Sequence, residues 1–178
     1  MSKGLQKLKE EYEYIRYIKN HDLHHIGAYA EIIDNNFFHW HGAIIGPKGT
    51  PYSGGYFSFE IKFDPDYPNS PPQVQMRTPT YHPNINCQNG HICLYYLHYW
   101  NNTCNIAGLF LAIFQLLAYP NESEGYYPKD EKKAKEFRDK YGTTQFFGIN
   151  WKISWDMGWD NNDINKRPRC FDVYPYPH

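Results

Sequence analysis

The chain has 178 residues, a formal net charge of −1, 41% hydrophobic residues and 21% charged residues. This length suits one compact domain, and the composition is typical of a folded protein rather than a disordered one. The near-neutral charge argues against a broad basic surface for nucleic acid or anionic lipid. No apolar run is long enough to cross a membrane, and the N-terminal residues 2–20 are too polar for a signal peptide.

The cysteines give no metal-binding pattern. They are Cys87, Cys93, Cys104 and Cys170. None forms a C-x-x-C pair, so a zinc site is poorly supported, and an intracellular reducing compartment, cytoplasmic or nuclear or both, fits best. His39 and His41 flank Trp40 on a predicted strand, and we interpret them as ordinary, partly exposed side chains.

The first element is predicted to be an amphipathic helix. Ser2 is a suitable N-cap. Apolar side chains then recur at helical spacing at Leu5, Leu8, Tyr12 and Ile15. The other faces carry charged residues, so one side packs and the other is solvated.

From Ile26 the apolar period changes to two, which predicts strands. Four strands are predicted at about 26–32, 38–44, 57–63 and 74–78. Asp34, Asn35 and Asn36 form a turn between the first two. Successive strands with turns between them predict an antiparallel meander with one buried face, which the first helix covers on a face or an edge.

Helices follow the strands. Asn105 is a suitable N-cap for Ile106–Ala118, a helix that is apolar nearly all round and therefore central, and Pro120 ends it. A further helix is predicted at about 130–141, with Gly142 as its C-terminal stop. Strands followed by helices predict the α+β class.

We predict a core domain at residues 1–142 and a C-terminal extension at residues 143–178. In the extension, Trp151, Trp155 and Trp159 recur every four residues, as on one stripe of a helix. Spaced aromatic residues usually mean burial, so we expect the extension to pack, at least in part, on the core. The alternative is an exposed stripe that docks another protein.

The candidate reactive segment spans residues 81–100 and contains Cys93. Gly90 marks a tight backbone position, and Asn84 supplies a side-chain amide donor. A thiol with an amide donor nearby on a shaped loop indicates acyl transfer through sulfur. A thiol hydrolase with His82 as the base is less well supported, because nothing in the spacing places His82 within hydrogen-bond reach of the thiol.

Several short motifs together match one protein family. In chain order they are Phe38-His39-Trp40, the loop 46–55, Asp66-Tyr67-Pro68 with Pro71-Pro72, His82-Pro83-Asn84-Ile85, Gly90-His91-Ile92-Cys93-Leu94, Trp100, and Leu116-Leu117 with Pro120-Asn121. With these motifs in order, residues 5–128 resemble the ubiquitin-conjugating enzymes. The resemblance implies an α+β, UBC-like fold with an N-terminal helix, a four-stranded antiparallel meander, a central helix and C-terminal helices.

The resemblance also implies an activity. Cys93 would accept ubiquitin, or a related modifier, as a thioester from an activating enzyme and pass it to a substrate lysine, usually with a ligase. Asn84 would support the oxyanion or hold the loop, with His82 and Pro83 as its scaffold. Glu124 would lower the pKa of the incoming lysine or help to position it. No metal or other cofactor is implied. The alternative is a binding scaffold of the same fold with little or no transfer.

The chain also departs from the family pattern. One residue more than is common separates Asn84 from Cys93, and one fewer separates Cys93 from Trp100, so we expect Cys93 to be displaced relative to Asn84. Asn69 stands where an aromatic residue is common, and residues 101–103 replace a common Ser-Pro-Ala. Both positions belong to the surface that usually meets ligases, so we expect an unusual ligase or little need of one.

Overall fold

The computed structural model describes residues 2–17 and 23–142. The helices are α1 (Lys3–Tyr17), α2 (Tyr95–His98), α3 (Ile106–Ala118) and α4 (Glu131–Tyr141), and the strands are β1 (Tyr29–Ile33), β2 (Asn36–Ile45), β3 (Tyr56–Lys62) and β4 (Gln73–Met76). Short 3-10 helices span His24–Ile26 and Glu122–Glu124. The predicted α+β class is confirmed. The tryptophan stripe and the rest of the extension lie outside the described residues.

The four strands form one antiparallel sheet in the order β1-β2-β3-β4, so the predicted meander is confirmed. Trp40 pairs with Ile61, and Gly42 pairs with Phe59. These residues point to one face, where the side chains of Trp40, Phe59 and Ile61 are fully buried. We call this the inner face and the opposite one the outer face, because successive side chains of a strand alternate between faces.

The inner face is covered by α1 and α3. Tyr12 of α1 packs edge-on against Trp40, with ring centroids 5.3 Å apart. Phe110 of α3 packs in the same way against Phe59, at 5.0 Å. Gly42 permits this contact, because a Cβ atom there would lie 2.8 Å from the Phe110 ring. The core therefore lies between the sheet and these two helices.

Two predicted helix starts are confirmed by side-chain caps. The Ser2 hydroxyl accepts a hydrogen bond from the Leu5 N–H at 3.2 Å. The Asn105 side chain accepts one from the Gly108 N–H at 2.8 Å. Each cap satisfies an N–H that the first helical turn leaves unpaired. These caps explain why α1 and α3 begin where the sequence indicates.

Two strand boundaries were predicted wrongly. β1 begins at Tyr29 rather than Ile26, because Gly27 has a φ of +59° and interrupts the extended backbone. β4 ends at Met76, because the next two N–H groups, those of Arg77 and Thr78, both donate to the carbonyl of Ser58. Such two-to-one pairing breaks the ladder, and apolar alternation does not reveal it.

The last described helix is fixed at one end of the sheet. The Arg138 guanidinium of α4 donates to the carbonyls of Pro51 at 3.1 Å and Ser53 at 3.0 Å. Just beyond α4, the carbonyl of Gly142 accepts a hydrogen bond from the Tyr56 N–H at 2.8 Å. The described chain therefore ends beside the first residue of β3. In the described ranges, no helix is long and apolar enough to span a membrane.

Candidate active site

Along the chain, Cys93 lies after β4 and two residues before the start of α2. Its backbone N–H donates to the Asn84 carbonyl at 2.8 Å, and the preceding residue, Ile92, pairs with Ile85. The Cys93 thiol is free and half-buried, as is that of Cys104. Within residues 2–17 and 23–142, no group of His, Cys, Asp or Glu side chains is arranged to hold a metal ion.

The extra residue before Cys93 is absorbed by a closed turn. The Asn86 N–H donates to the His91 carbonyl at 2.8 Å, and the Gly90 N–H donates to the Asn86 carbonyl at 2.7 Å. Gly90 has a φ of +73° and lies against the backbone of Met76, a position that favours glycine. This turn leaves the Cys93 backbone hydrogen-bonded to Asn84, and the displacement of Cys93 from the family pattern stays a prediction.

His82 is a buried structural residue. Its Nδ1 accepts the Asn84 N–H at 3.0 Å, so the proton is on Nε2, which donates to the Leu116 carbonyl at 2.8 Å. Burial lowers the pKa of His82 to about 4, and this effect outweighs the hydrogen bond to Leu116, which acts in the opposite direction. Since both ring nitrogens have partners, this geometry leaves the thiol-hydrolase interpretation without its base.

The Asn84 side chain holds a neighbouring segment. Its amide donates to the Asn121 carbonyl at 2.8 Å and accepts the Asn121 N–H at 2.9 Å. The Asn84 side chain, which makes both of these hydrogen bonds, is fully buried. It links the loop before Cys93 to the segment that follows α3. This contact favours the role of Asn84 in holding the loop over the role in which its amide supports the oxyanion.

Glu124 reaches the same region from the 3-10 helix after α3. A cavity of about 750 Å³ is lined by both Cys93 and Glu124, and also by Asn121 and Tyr95. The Asn121 side chain donates to the Tyr95 hydroxyl at 3.0 Å. The fold therefore brings Cys93 and Glu124 to one recess. Asn84 and His82 are fully buried and do not line it, and Asn84 is linked to it only through Asn121.

Tyr126 and His91 were not recognised from the sequence. The Tyr126 N–H donates to the Pro83 carbonyl at 2.6 Å, and its hydroxyl is hydrogen-bonded to Nδ1 of His91. Partial burial raises the pKa of Tyr126, and the neighbouring Cys93 adds to this. These two side chains tie the Glu124 segment to the Cys93 segment. The sequence offers only a pair of tyrosines near Pro120, which is a weak signal.

Comparison with known proteins agrees with this arrangement. A family described as ubiquitin-conjugating enzyme matches residues 7–146, most of the chain. The chain belongs to the ubiquitin-conjugating enzyme family. The UBC-like fold expected from the motifs is thereby confirmed, and the protein has the kind of function that the family performs.

Two solved structures are similar over nearly their whole length. One is a candidate ubiquitin-conjugating enzyme from Plasmodium yoelii, 33% identical, with a TM-score of 0.72, 82% of this chain covered and 99% of that chain. The other is the E2 domain of a ubiquitin-conjugating enzyme from Toxoplasma gondii, 32% identical, with a TM-score of 0.65, 77% of this chain covered and 97% of that chain. Each of these matches therefore leaves part of this family member uncovered.

The neutral His82 predicts a pH-dependent stability. Its pKa is about 4 in the folded state and about 6.5 in the unfolded state. Between these values the unfolded chain binds more protons, so the free energy of unfolding falls as the pH falls from about 6.5 to about 4, and no loss occurs above that window. The slope for this one group is at most about 1.4 kcal/mol per pH unit.

Urea unfolding at several pH values between 7 and 4 measures this slope. The variant His82→Gln should show a shallower pH dependence than the parent, by about one bound proton. His98→Gln is the matched control, because His98 is exposed, and it should keep the parent's slope. Parallel curves for His82→Gln and the parent contradict the prediction.

Proposed function

We propose that this protein is an active ubiquitin-conjugating enzyme that carries ubiquitin as a thioester on Cys93 and transfers it to a substrate lysine. The observation that carries the proposal is the position of Cys93. Its free thiol lines the cavity that Glu124 also lines, and its backbone is tied to Asn84 at 2.8 Å. The proposed partners are an activating enzyme, ubiquitin, a ligase and the substrate protein.

Loading is an exchange of one thioester for another. The Cys93 thiolate attacks the carbonyl carbon of the modifier's C-terminus, a new S–C bond forms, and the activating enzyme's thiolate leaves. Because thioester exchange is close to energetically balanced, this step needs no ATP of its own. A cysteine suits the role because its nucleophilic form is accessible at neutral pH.

Transfer follows when a neutral lysine amine attacks the same carbonyl. The new N–C bond gives a tetrahedral intermediate that carries an oxyanion, and the attacking nitrogen loses one proton to solvent. Collapse of the intermediate breaks the S–C bond, expels the Cys93 thiolate and leaves a neutral amide. A single donor aimed at such an oxyanion is typically worth about 3 kcal/mol. The Asn84 amide has two N–H groups, and Asn121 takes one of them. Because the Asn84 side chain is fully buried against Asn121, the contacts support the loop-holding role of Asn84 in this step.

The charge of Glu124 supports a positioning role. A carboxylate attracts the ammonium form of lysine and therefore raises the lysine pKa, which does not favour deprotonation. Its exposed side chain at the rim of the cavity instead holds the incoming amine near Cys93. Of the two roles considered from the sequence, this geometry supports positioning.

A thioester assay tests the proposed nucleophile. The protein is mixed with activating enzyme, ATP and ubiquitin and resolved on gels with and without reductant. We expect a reductant-sensitive band with one added ubiquitin, which Cys93→Ser abolishes and Cys104→Ser retains. Cys104 is the matched control because its thiol is also free and half-buried.

The other outcomes of this assay are also informative. A band with a different modifier would keep the chemistry and change the cargo. No band with any modifier would contradict the proposal and leave a binding scaffold of the same fold.

The variant Glu124→Gln tests positioning of the lysine. In single-turnover discharge to free lysine, we expect the KM for lysine to rise about 2- to 5-fold, with little change in the maximal rate. This is the size of effect expected when one exposed charge interaction is lost. Glu122→Gln is the control, because Glu122 lies on the same 3-10 helix and pairs with Lys129 at 3.9 Å instead. Equal effects of the two variants, or a loss confined to the maximal rate, would argue against positioning.

The proposed ligase surface lacks an apolar anchor. The Trp100 indole donates to the Pro68 carbonyl at 2.8 Å. Since Asn69 follows Pro68 and Asn101 follows Trp100, the two loops that carry these asparagines lie next to each other. The Asn69 amide donates to Asp66 at 3.3 Å, and the Asn101 side chain accepts the N–H of a neighbouring residue at 3.0 Å. Both polar side chains bind within their own loops, where an aromatic side chain would reach a partner.

We therefore expect ordinary RING ligases to accelerate lysine discharge only weakly. Discharge rates measured with a panel of such ligases check this expectation. The double variant Asn69→Phe with Asn101→Ser should gain stimulation, because it restores an aromatic anchor of the kind that forms hot spots. Strong stimulation of the parent by the whole panel would rule the hypothesis out.

A further inference from the structure

His91 and Cys93 lie on the same face of one extended segment. This segment adds to the sheet beside β4, because His91 forms a β-bridge with Gln75, and Ile92 forms one with Ile85. Side chains two residues apart on an extended segment point the same way, with their Cα atoms about 7 Å apart. Both His91 and Cys93 line the recess that Glu124 also lines. The imidazole therefore borders the space next to the thiol.

Tyr126 holds the His91 ring in place. The Tyr126 hydroxyl is hydrogen-bonded to Nδ1 of His91, and the two rings meet edge-on with their centroids 6.2 Å apart. The Tyr126 N–H donates to the Pro83 carbonyl at 2.6 Å. Tyr126 is also close to the thiol, because the charge of Cys93 adds to the effect of burial in raising the Tyr126 pKa. The exposed His91 ring thus has a fixed position beside Cys93.

One ring nitrogen of His91 is available to a substrate. Within the described part of the chain, Nε2 of His91 has no hydrogen-bond partner, whereas both nitrogens of His82 have one. A tyrosine oxygen accepts hydrogen bonds, so Nδ1–H of His91 can donate to Tyr126 both when the ring is neutral and when it is protonated. In this tautomer Nε2 carries a free lone pair. The bond to Tyr126 is then kept when Nε2 gains a proton, which is what a proton acceptor requires.

The transfer step has one proton to release. After the lysine nitrogen has bonded to the thioester carbonyl carbon, it carries one proton too many for an amide. A nitrogen bonded to that carbon is more acidic than a free ammonium group, so an imidazole can take its proton. Near neutral pH an imidazole is a better acceptor than the carboxylate of Glu124, because the ordinary pKa of imidazole is closer to 7.

We propose that His91 is the proton acceptor of the transfer step and that Tyr126 positions its ring. The N–C bond forms, and the surplus proton on the nitrogen moves to Nε2 of His91. The S–C bond then breaks with its electron pair on the Cys93 sulfur, and His91 releases the proton to solvent. This role rests on the proposed function and deepens it, because Glu124 holds the amine and His91 receives the proton before solvent does.

Single-turnover discharge to free lysine tests this role. Thioester is formed on the parent and on each variant, and the maximal rate of lysine conjugation is measured. We expect His91→Ala to lower this rate about 100-fold, at the lower end of the range for general base catalysis, with little change in KM. Tyr126→Phe should lower it about fivefold, as for loss of one hydrogen bond. His98→Ala is the matched control, because His98 is also an exposed histidine, and it should keep the parent's rate.

The pH dependence separates a proton acceptor from a structural residue. Protonated imidazole has no free lone pair, so the ratio of the parent rate to the His91→Ala rate should shrink as the pH falls from about 8 to about 5.5. This ratio cancels the titration of lysine and of the groups that face His91 across the recess, since both proteins share them. Apart from tyrosines, whose ordinary pKa is about 10, these groups are Cys93, Glu60, Lys62, Glu124 and His98.

Imidazole in the buffer gives a further readout that a structural role would not show. It should raise the rate of lysine conjugation by His91→Ala in proportion to the concentration of its neutral form, and it should leave His98→Ala unchanged. A rate ratio that stays constant with pH, or a His91→Ala variant as fast as the parent, would overturn the proposal.

Thioester loading of the same samples separates this proposal from the proposed function. Equal loading of all four proteins, with slow discharge only in His91→Ala and Tyr126→Phe, is the expected result and also shows that the variants fold. Equal loading with equal discharge would overturn the role of His91 and leave the conjugating function intact. No thioester on the parent would overturn both.

Discussion

The His82 ring joins the loop before Cys93 to the central helix, and the arrangement of the candidate site depends on it. One ring nitrogen accepts the N–H of Asn84, and the other donates to Leu116 at the end of α3. Because the ring is fully buried and neutral, both bonds form in a medium of low dielectric, where the loss of either is costly. With the loop fixed, Asn84 directs its amide to Asn121, and the segment that bears Glu124 is brought beside Cys93.

The two faces of the sheet solve different physical problems. The inner face buries aromatic rings such as Trp40 and Phe59 against helices, which is the ordinary source of stability in a domain of this size. The outer face buries a carboxylate, Glu60, together with Arg77, the cation that pairs with it. Removing one partner of such a buried pair costs more than the pair contributes, because the remaining charge is left without water or a partner. The stability of the outer face therefore depends on keeping both partners of this pair.

The sequence predicted most elements, because their signals are local. The caps at Ser2 and Asn105 and the apolar period of α3 depend on neighbours within one turn of helix. The errors arose where distant residues decide the outcome. β4 ends where Ser58, on the adjacent strand, accepts two N–H groups. The expectation that His41 is partly exposed is wrong, because its exposed fraction is only 6%. The pairing of Tyr126 with His91 joins residues far apart in the chain, and no spacing rule anticipates it.

By itself the sequence determined the class of fold, the family motifs and Cys93 as the candidate nucleophile, because periodicity, capping and a run of motifs are written along the chain. Only the tertiary structure decided which partners each polar side chain takes. Asn84 holds Asn121, His82 is a neutral support, and the altered loop still brings Cys93 to Asn84. The physical reason is that hydrogen bonds and burial depend on groups brought together from separate segments, whereas helical and strand periodicity depends on near neighbours.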